Sequence, residues 1–130
     1  MLLFEIHMIP RPQRQTQLGK GMWFDPSKNV KYQIRWQIGP HAPKEPLQGP
    51  LHVFITFYLP IPKKARGNLR QQMINAVALP IRRPDIDNLA YLVTNAMKEL
   101  VYEDDAQIVD LTLSKRYGED PRTVIKVVPI

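Results

Sequence analysis

The chain is 130 residues long, has no cysteine, and carries 18 Lys and Arg against 12 Asp and Glu, a formal charge of +6. That length suits one domain, residues 1–130, with a core of its own; the missing cysteines exclude disulfides and thiolate metal sites, and the basic balance favours a polyanion such as nucleic acid as partner. No apolar run approaches the roughly 20 residues that cross a bilayer, and Met1-Leu2-Leu3-Phe4 does not open an export signal, so a soluble cytoplasmic protein without a membrane partner is expected.

Leu2 to Ile9 alternates as a first strand, with Phe4, Ile6 and Met8 on one face. Residues 10–26, with Pro10, Pro12, Gly19 and Gly21, read as a basic loop. Asp25-Pro26-Ser27 starts a helix to about Ile38, which Gly39-Pro40 stops. A Pro-rich connector follows to Pro50. Leu51 to Leu59 is a strand by its spacing of two at Val53, Ile55, Phe57 and Leu59, closed by Pro60 and Pro62. Between residues 63 and 81 helical propensity is concentrated around Leu69 to Ala78. After Pro84 the positions Leu89, Leu92, Val93, Ala96, Met97, Leu100 and Val101 form a complete helical core stripe. Gln107 to Lys115 and Arg122 to Val128 are β-rich and, joined by Tyr117-Gly118-Glu119-Asp120-Pro121, read as a hairpin. The order β-α-β-(α)-α-β-β implies an α+β fold in which helices pack on a mixed sheet.

Charge is unevenly distributed along this framework. No acid lies between Glu45 and Asp85, an interval holding Lys63, Lys64, Arg66, Arg70, Arg82 and Arg83, whereas seven of the 12 acids fall between Asp85 and Asp110. Asp85 and Asp87 stand at the entrance of the best-defined helix and Asp104 and Asp105 follow its exit. Alone, an Asp-x-Asp at a helix start is most often a cap. Two like charges near 4 Å repel by about 4 kcal/mol at an effective dielectric of 20, so closely set acids in a basic protein favour a cation between them. Carboxylate oxygens suit Mg²⁺, with Mn²⁺ as substitute, completed by substrate phosphate oxygens. Asp105 lies where the chain returns from the helix, so a short turn carries it to either end of the sheet.

Other chemistry finds little support. His7, His41 and His52 are scattered, Ser27 and Ser114 lack a nucleophile context, and Leu18-Gly19-Lys20-Gly21-Met22 is too short for a phosphate-binding P-loop. Arg14, Lys20 and Lys28 are placed to meet a DNA backbone, because phosphate contacts need charge and reach more than rigid geometry. Trp23, Phe24 and Trp36 are expected to anchor loop and helix into the core in preference to stacking on bases.

The segments Arg82-Arg83-Pro84-Asp85-Ile86-Asp87-Asn88-Leu89, Asp104-Asp105-Ala106-Gln107-Ile108-Val109 and Lys115-Arg116-Tyr117-Gly118 resemble the RusA-type Holliday-junction resolvases, in detail from Arg82 to Val128 and more loosely upstream. The resemblance implies a RusA-like fold and a small homodimeric, Mg²⁺-dependent endonuclease. Such an enzyme resolves four-way junction DNA by paired symmetric nicks in recombination and repair, without an organic cofactor. It assigns Asp85, Asp87 and Asp105 as metal-binding catalytic carboxylates and Asp104 as an adjacent acid. Arg82, Arg83, Lys63, Lys64, Lys115 and Arg116 are then expected on the DNA side. The family places a lysine one helical turn after the second Asp, where this chain has Tyr91. A phenol offers one neutral donor in place of a full charge, and the alternative is therefore a junction-binding protein of the same fold with weak or no cleavage.

Overall fold

A computed structural model describes residues Met1–Ile130. In chain order it has β1 (Leu2–Ile6), β2 (Gln17–Gly19), β3 (Met22–Phe24), α1 (Lys28–Ile38), β4 (Leu51–Pro60), α2 (Gly67–Ile74), α3 (Ile86–Met97), β5 (Ile108–Gly118) and β6 (Arg122–Pro129), with single 3₁₀ turns at Gly39–His41 and Asp105–Gln107. Four strands form one sheet in the order β1-β6-β4-β5, and β2 pairs only with β3. β4 is parallel to β5 and antiparallel to β6, so the sheet is mixed and the fold is α+β.

The sheet is organised around β4. Its alternation buries Leu51, Val53, Ile55, Phe57 and Leu59, and the first four meet Phe4, Ile6, Ile125 and Val127 of the neighbouring strands and Leu89, Leu92, Val93, Ala96 and Met97 of α3. Burying each such side chain contributes roughly 1.5–3 kcal/mol. The opposite face carries half-buried His52, Phe54 and Tyr58, with Lys126 over the Phe54 ring and Arg122 over Tyr58. α1 presents Ile34 and Ile38 to the core and lies along α3 in the same direction. The sense is fixed at both ends: Gln13, near the start of α1, donates its N–H to the carbonyl of Asn88, and Arg35 in the last turn of α1 donates to the carbonyls of Ala96 and Lys98.

Several expectations need correction. β5 and β6 are not a hairpin, because β4 lies between them and pairs with both. Residues 119–121 instead arch over the end of β4, and Gly118 suits the close approach there: a Cβ would stand 3.0 Å from that of Tyr58. A short polar turn between two β-rich runs looks the same in sequence whether the strands pair or straddle a third. β1 stops at Ile6, although Met8 still packs on the core. α2 lies a few residues earlier than propensity placed it, ended by Ala76 at φ 59°. The basic loop contains a small hairpin whose strands have only three residues each. Trp23 and Trp36, expected in the core, are 70% and 83% exposed.

Candidate active site

The crossover from β4 through α2 and α3 to β5 decides where the acids go. A parallel β4–β5 pair requires the chain to return across the sheet before β5 begins, and α3 makes that return. Its first residues lie at the end where β4 and β5 finish: Lys115, on the core-facing side of β5, donates from Nζ to the carbonyls of Arg82 and Pro84, both at 2.9 Å. Its last residues lie where β5 starts, and Asp104 and Asp105 precede β5 there.

At the first end Asp85 occupies the N-cap position of α3 but makes no side-chain capping bond, and Asp87 sits in the first turn with Oδ1 accepting only the amide of Asn88 at 2.9 Å. Both carboxylates are exposed, at the positive end of the helix dipole, and neither is committed to building the helix. Arg82 and Arg83 are exposed immediately before them, beside Pro60, Pro62 and Tyr117. Lys63 and Lys64 are exposed in the segment leaving β4 at the same end.

At the other end the turn is built by its own sequence. Asp104 accepts from the amide of Ala106 while Gln107 Oε1 accepts from the amide of Asp104, a reciprocal capping box. Gln107 Nε2 also donates to the carbonyls of Leu47 and Gly49, tying the turn to the connector before β4. The side chains of Asp104 and Asp105 are neighbours that influence one another's ionisation. The Ala106 amide and the adjacent Asp105 carboxyl hold Asp104 below the ordinary carboxylate range, while the adjacent Asp104 carboxylate and burial raise Asp105. Asp104 is thus the turn builder and Asp105, half-buried, the carboxylate left over. Tyr102 is buried beneath them, its hydroxyl donating to the carbonyl of Thr94, and burial followed by the charges of Asp105 and Asp104 raises its phenol far above the usual range.

The two acid groups therefore stand apart. α3 spans 12 residues, roughly 18 Å at 1.5 Å per residue, whereas ligand oxygens lie about 2 Å from a Mg²⁺ ion. The expectation that Asp105 joins Asp85 and Asp87 within one chain is not met, and no three His, Cys, Asp or Glu side chains lie together as a site for an ion. The donor chemistry at each end fits a hard divalent cation; the number of donors at either end alone falls short.

The basic residues divide as well. Arg14, Lys20 and Lys28 are exposed, but Lys115 is engaged with two backbone carbonyls and acts as a positioning residue for the segment before Asp85. Arg116, half-buried, donates to the carbonyl of Lys115. Tyr91 is 55% exposed one turn after Asp87. Lys98 escaped the sequence reading: its ammonium stands 3.8 Å from Asp104, bringing positive charge to the second acid group. Nothing in sequence distinguishes it from any lysine after a helix. No helix is long and apolar enough to cross a membrane.

The family model described as endodeoxyribonuclease RusA matches residues 5–128. An uncharacterised protein of Bacillus subtilis strain 168, YqaN, is 31% identical over 121 residues, covering 90% of this chain and 85% of that one. A protein of Lactococcus phage r1t named crossover junction endodeoxyribonuclease is 29% identical over 134 aligned positions, covering 98% of this chain and 95% of the phage protein. With all its helices and Asp85, Asp87, Asp104 and Asp105 inside the matched span, the chain belongs to the RusA family of endodeoxyribonucleases.

Proposed function

We propose that this protein is a divalent-metal-dependent endonuclease that resolves four-way DNA junctions as a homodimer, each active site combining Asp85 and Asp87 of one protomer with Asp105 of the partner subunit. The observation that carries it is the placement of uncommitted carboxylates at opposite ends of α3. A two-fold axis that sets two α3 helices side by side in opposite directions brings the first end of each against the second end of the other, giving two equivalent sites. Two sites in one dimer match the two like strands of a junction, so paired symmetric nicks follow from the symmetry.

Mg²⁺, or Mn²⁺ in its place, supplies when bound the positive charge that polarises a scissile phosphate and favours hydroxide at neutral pH. The chain's own residues do the rest. Asp85, Asp87 and Asp105 supply hard oxygen donors. Gln107 and the capping box hold Asp105 in place, and Lys115 fixes the segment leading into Asp85. Arg82, Arg83, Lys63 and Lys64 hold the phosphates approaching the first end, and Lys98 balances charge at the second. Hydrolysis to 5′-phosphate and 3′-hydroxyl ends leaves ligatable products.

Subunit mixing on a labelled four-way junction, with and without Mg²⁺ or Mn²⁺, tests this reading. Asp85→Asn and Asp105→Asn homodimers are each expected to bind the junction without nicking it. Their mixture contains heterodimers in which one shared site keeps all three aspartates, and single-strand nicking is expected to return. Silence in the mixture, with exchange of subunits verified, refutes the shared site; metal-independent nicking refutes the metal role. Tyr91 favours a second reading, a junction binder with little cleavage, because that exposed position offers no charge to the leaving oxygen. Wild type that binds the junction and leaves it intact in both metals decides for the binder.

A further inference from the structure

The hairpin of β2 and β3 is apolar on both faces although it lies in solvent. Leu18 pairs with Trp23, and Gly19 with Met22, across a two-residue turn at Lys20-Gly21, where both residues have positive φ of 51° and 76°. That turn matches the right-handed twist of paired strands and fixes the tip. Leu18 and Trp23 project from one face and Met22 and Phe24 from the other; the four are 59%, 70%, 73% and 46% exposed. The Phe24 ring lies over Gly19, where a Cβ would meet it at 2.9 Å, so it is braced diagonally against the neighbouring strand.

The mounting of the hairpin is as specific as its surface. Gln13 bonds to the carbonyl of Asn88, the residue after Asp87, and to Asp25, while the amide of Arg14 donates to Ser27 Oγ. The hairpin therefore leaves the body of the protein beside the first acid group. From Ile6 to Phe24 the chain has no acid, and Arg11, Arg14 and Lys20 are its charged residues.

We propose that this hairpin is a wedge that enters the branch point of a DNA junction. Leu18 and Trp23 cover the exposed face of one terminal base pair, Met22 and Phe24 that of another, and Lys20 reaches a phosphate. The inference rests on the reading of the protein as a junction enzyme and adds the element that distinguishes a branch point from a plain duplex. Apolar side chains inserted between base steps are a general way to unstack and bend DNA. A polyanionic partner follows from the cations without acids, and two apolar faces in place of one follow from a target that offers two open stacks.

The test uses Trp36→Phe protein, which leaves Trp23 as the sole tryptophan, in EDTA so that binding is read without cleavage. A four-way junction is expected to change Trp23 emission, and a linear duplex of the same arm sequence to change it much less. In the same background, Leu18→Ser with Trp23→Ser is expected to weaken junction binding about tenfold or more, the scale of losing a stacked base, with duplex binding kept within about twofold and the melting temperature unchanged. Unaltered emission on a bound junction, or equal junction affinity in the double variant, overturns the wedge. A dimer that falls to monomers in sedimentation when the two side chains are removed overturns it in favour of a clasp between subunits. Wild type that binds no junction at all defeats the junction reading itself, a result distinct from both.

Discussion

The two ends of α3 carry the same kind of residue and are built in opposite ways. At the first end Asp85 and Asp87 flank a helix start that needs neither of them, and their carboxylates are free in solvent among arginines. At the second end Asp104 is bound into a capping box, and Asp105 is fixed by a turn that Gln107 pins to the connector before β4. The contrast separates acids that shape the chain from acids the chain merely holds out, and only the latter are available to a cation. On the function proposed above each end is half a site, and the activity lives in the relation between two copies of α3.

The strongest way to break this comparison is to neutralise one acid at a time. Asp85→Asn, Asp87→Asn and Asp105→Asn are each expected to lower metal-dependent junction nicking on the order of 10²- to 10³-fold or more, with melting temperature and junction affinity preserved. Asp104→Ala is expected to do the reverse in part. It weakens the capping box, lowering the melting temperature, with a smaller loss of nicking. Equal kinetic effects for Asp104 and Asp105 would erase the distinction drawn between them.

Next in size come the residues that position each end. Gln107→Ala removes two bonds to carbonyls and half of the capping box, and a loss of about 1–3 kcal/mol in stability is expected from the acceptors left behind. Lys115→Met cuts the two bonds that hold Arg82 and Pro84, with a similar cost. Denaturant unfolding reads both losses. The sharper readout is subunit mixing: Gln107→Ala protein is expected to be rescued by Lys115→Met protein, because the damage falls on opposite halves of the shared site. Failure of that pair to complement, when the aspartate pair succeeds, would place one of the two residues outside the site.

How much of this was legible beforehand depended on the range of the signal. The α3 stripe is a local periodicity and identified the helix; its end was misplaced because Leu100 and Val101 continue the apolar spacing while Lys98 turns to ψ 137° and Glu99 to φ 67°. The turn-forming Asp104 and Gln107 stand three apart as a capping box does, yet a 3₁₀ turn has no stripe to announce it. Separation along the chain between Asp87 and Asp105 carried no information on which end of a sheet each reaches; that follows from β4 and β5 being parallel, a pairing between segments 57 positions apart by the Leu51 to Ile108 register. The exposure of Trp23 and Trp36 was unreadable for the same reason, since aromatic residues are as often anchors as contacts until neighbours are known.

The first end is sharpened further at Tyr91. Tyr91→Lys places an ammonium one turn after Asp87 on an exposed position, where it can donate to a phosphate without burying charge. Nicking at saturating metal is expected to rise about tenfold, the order of one positioned donor in a partly solvated site, with little change in melting temperature. An unchanged rate would show that another cation already does this work, and Lys98→Met, acting from the second end, is the variant that identifies it.

The smallest expected effect belongs to an acid at the first end that is fully committed to structure. Asp25 accepts from Lys31 Nζ at 2.7 Å, the Ser27 amide at 2.9 Å and Gln13 Nε2 at 2.9 Å, bracing the base of the hairpin. Burial alone pushes its carboxyl up, but the Lys31, Ser27 and Gln13 hydrogen bonds together with the Lys31 charge outweigh it, and the group lies below its ordinary value. A carboxylate depressed by folding contributes stability that is fully present above its unfolded value, about 3.9, and that disappears as pH falls through the folded value. Asp25→Asn is therefore expected to cost about 1 kcal/mol at neutral pH, the net scale of a hydrogen bond. Below pH ~4 its melting temperature should converge with wild type. A melting-temperature gap at Asp25 that stays constant into acid would mean that shape, and not charge, is what holds the hairpin beside the acids.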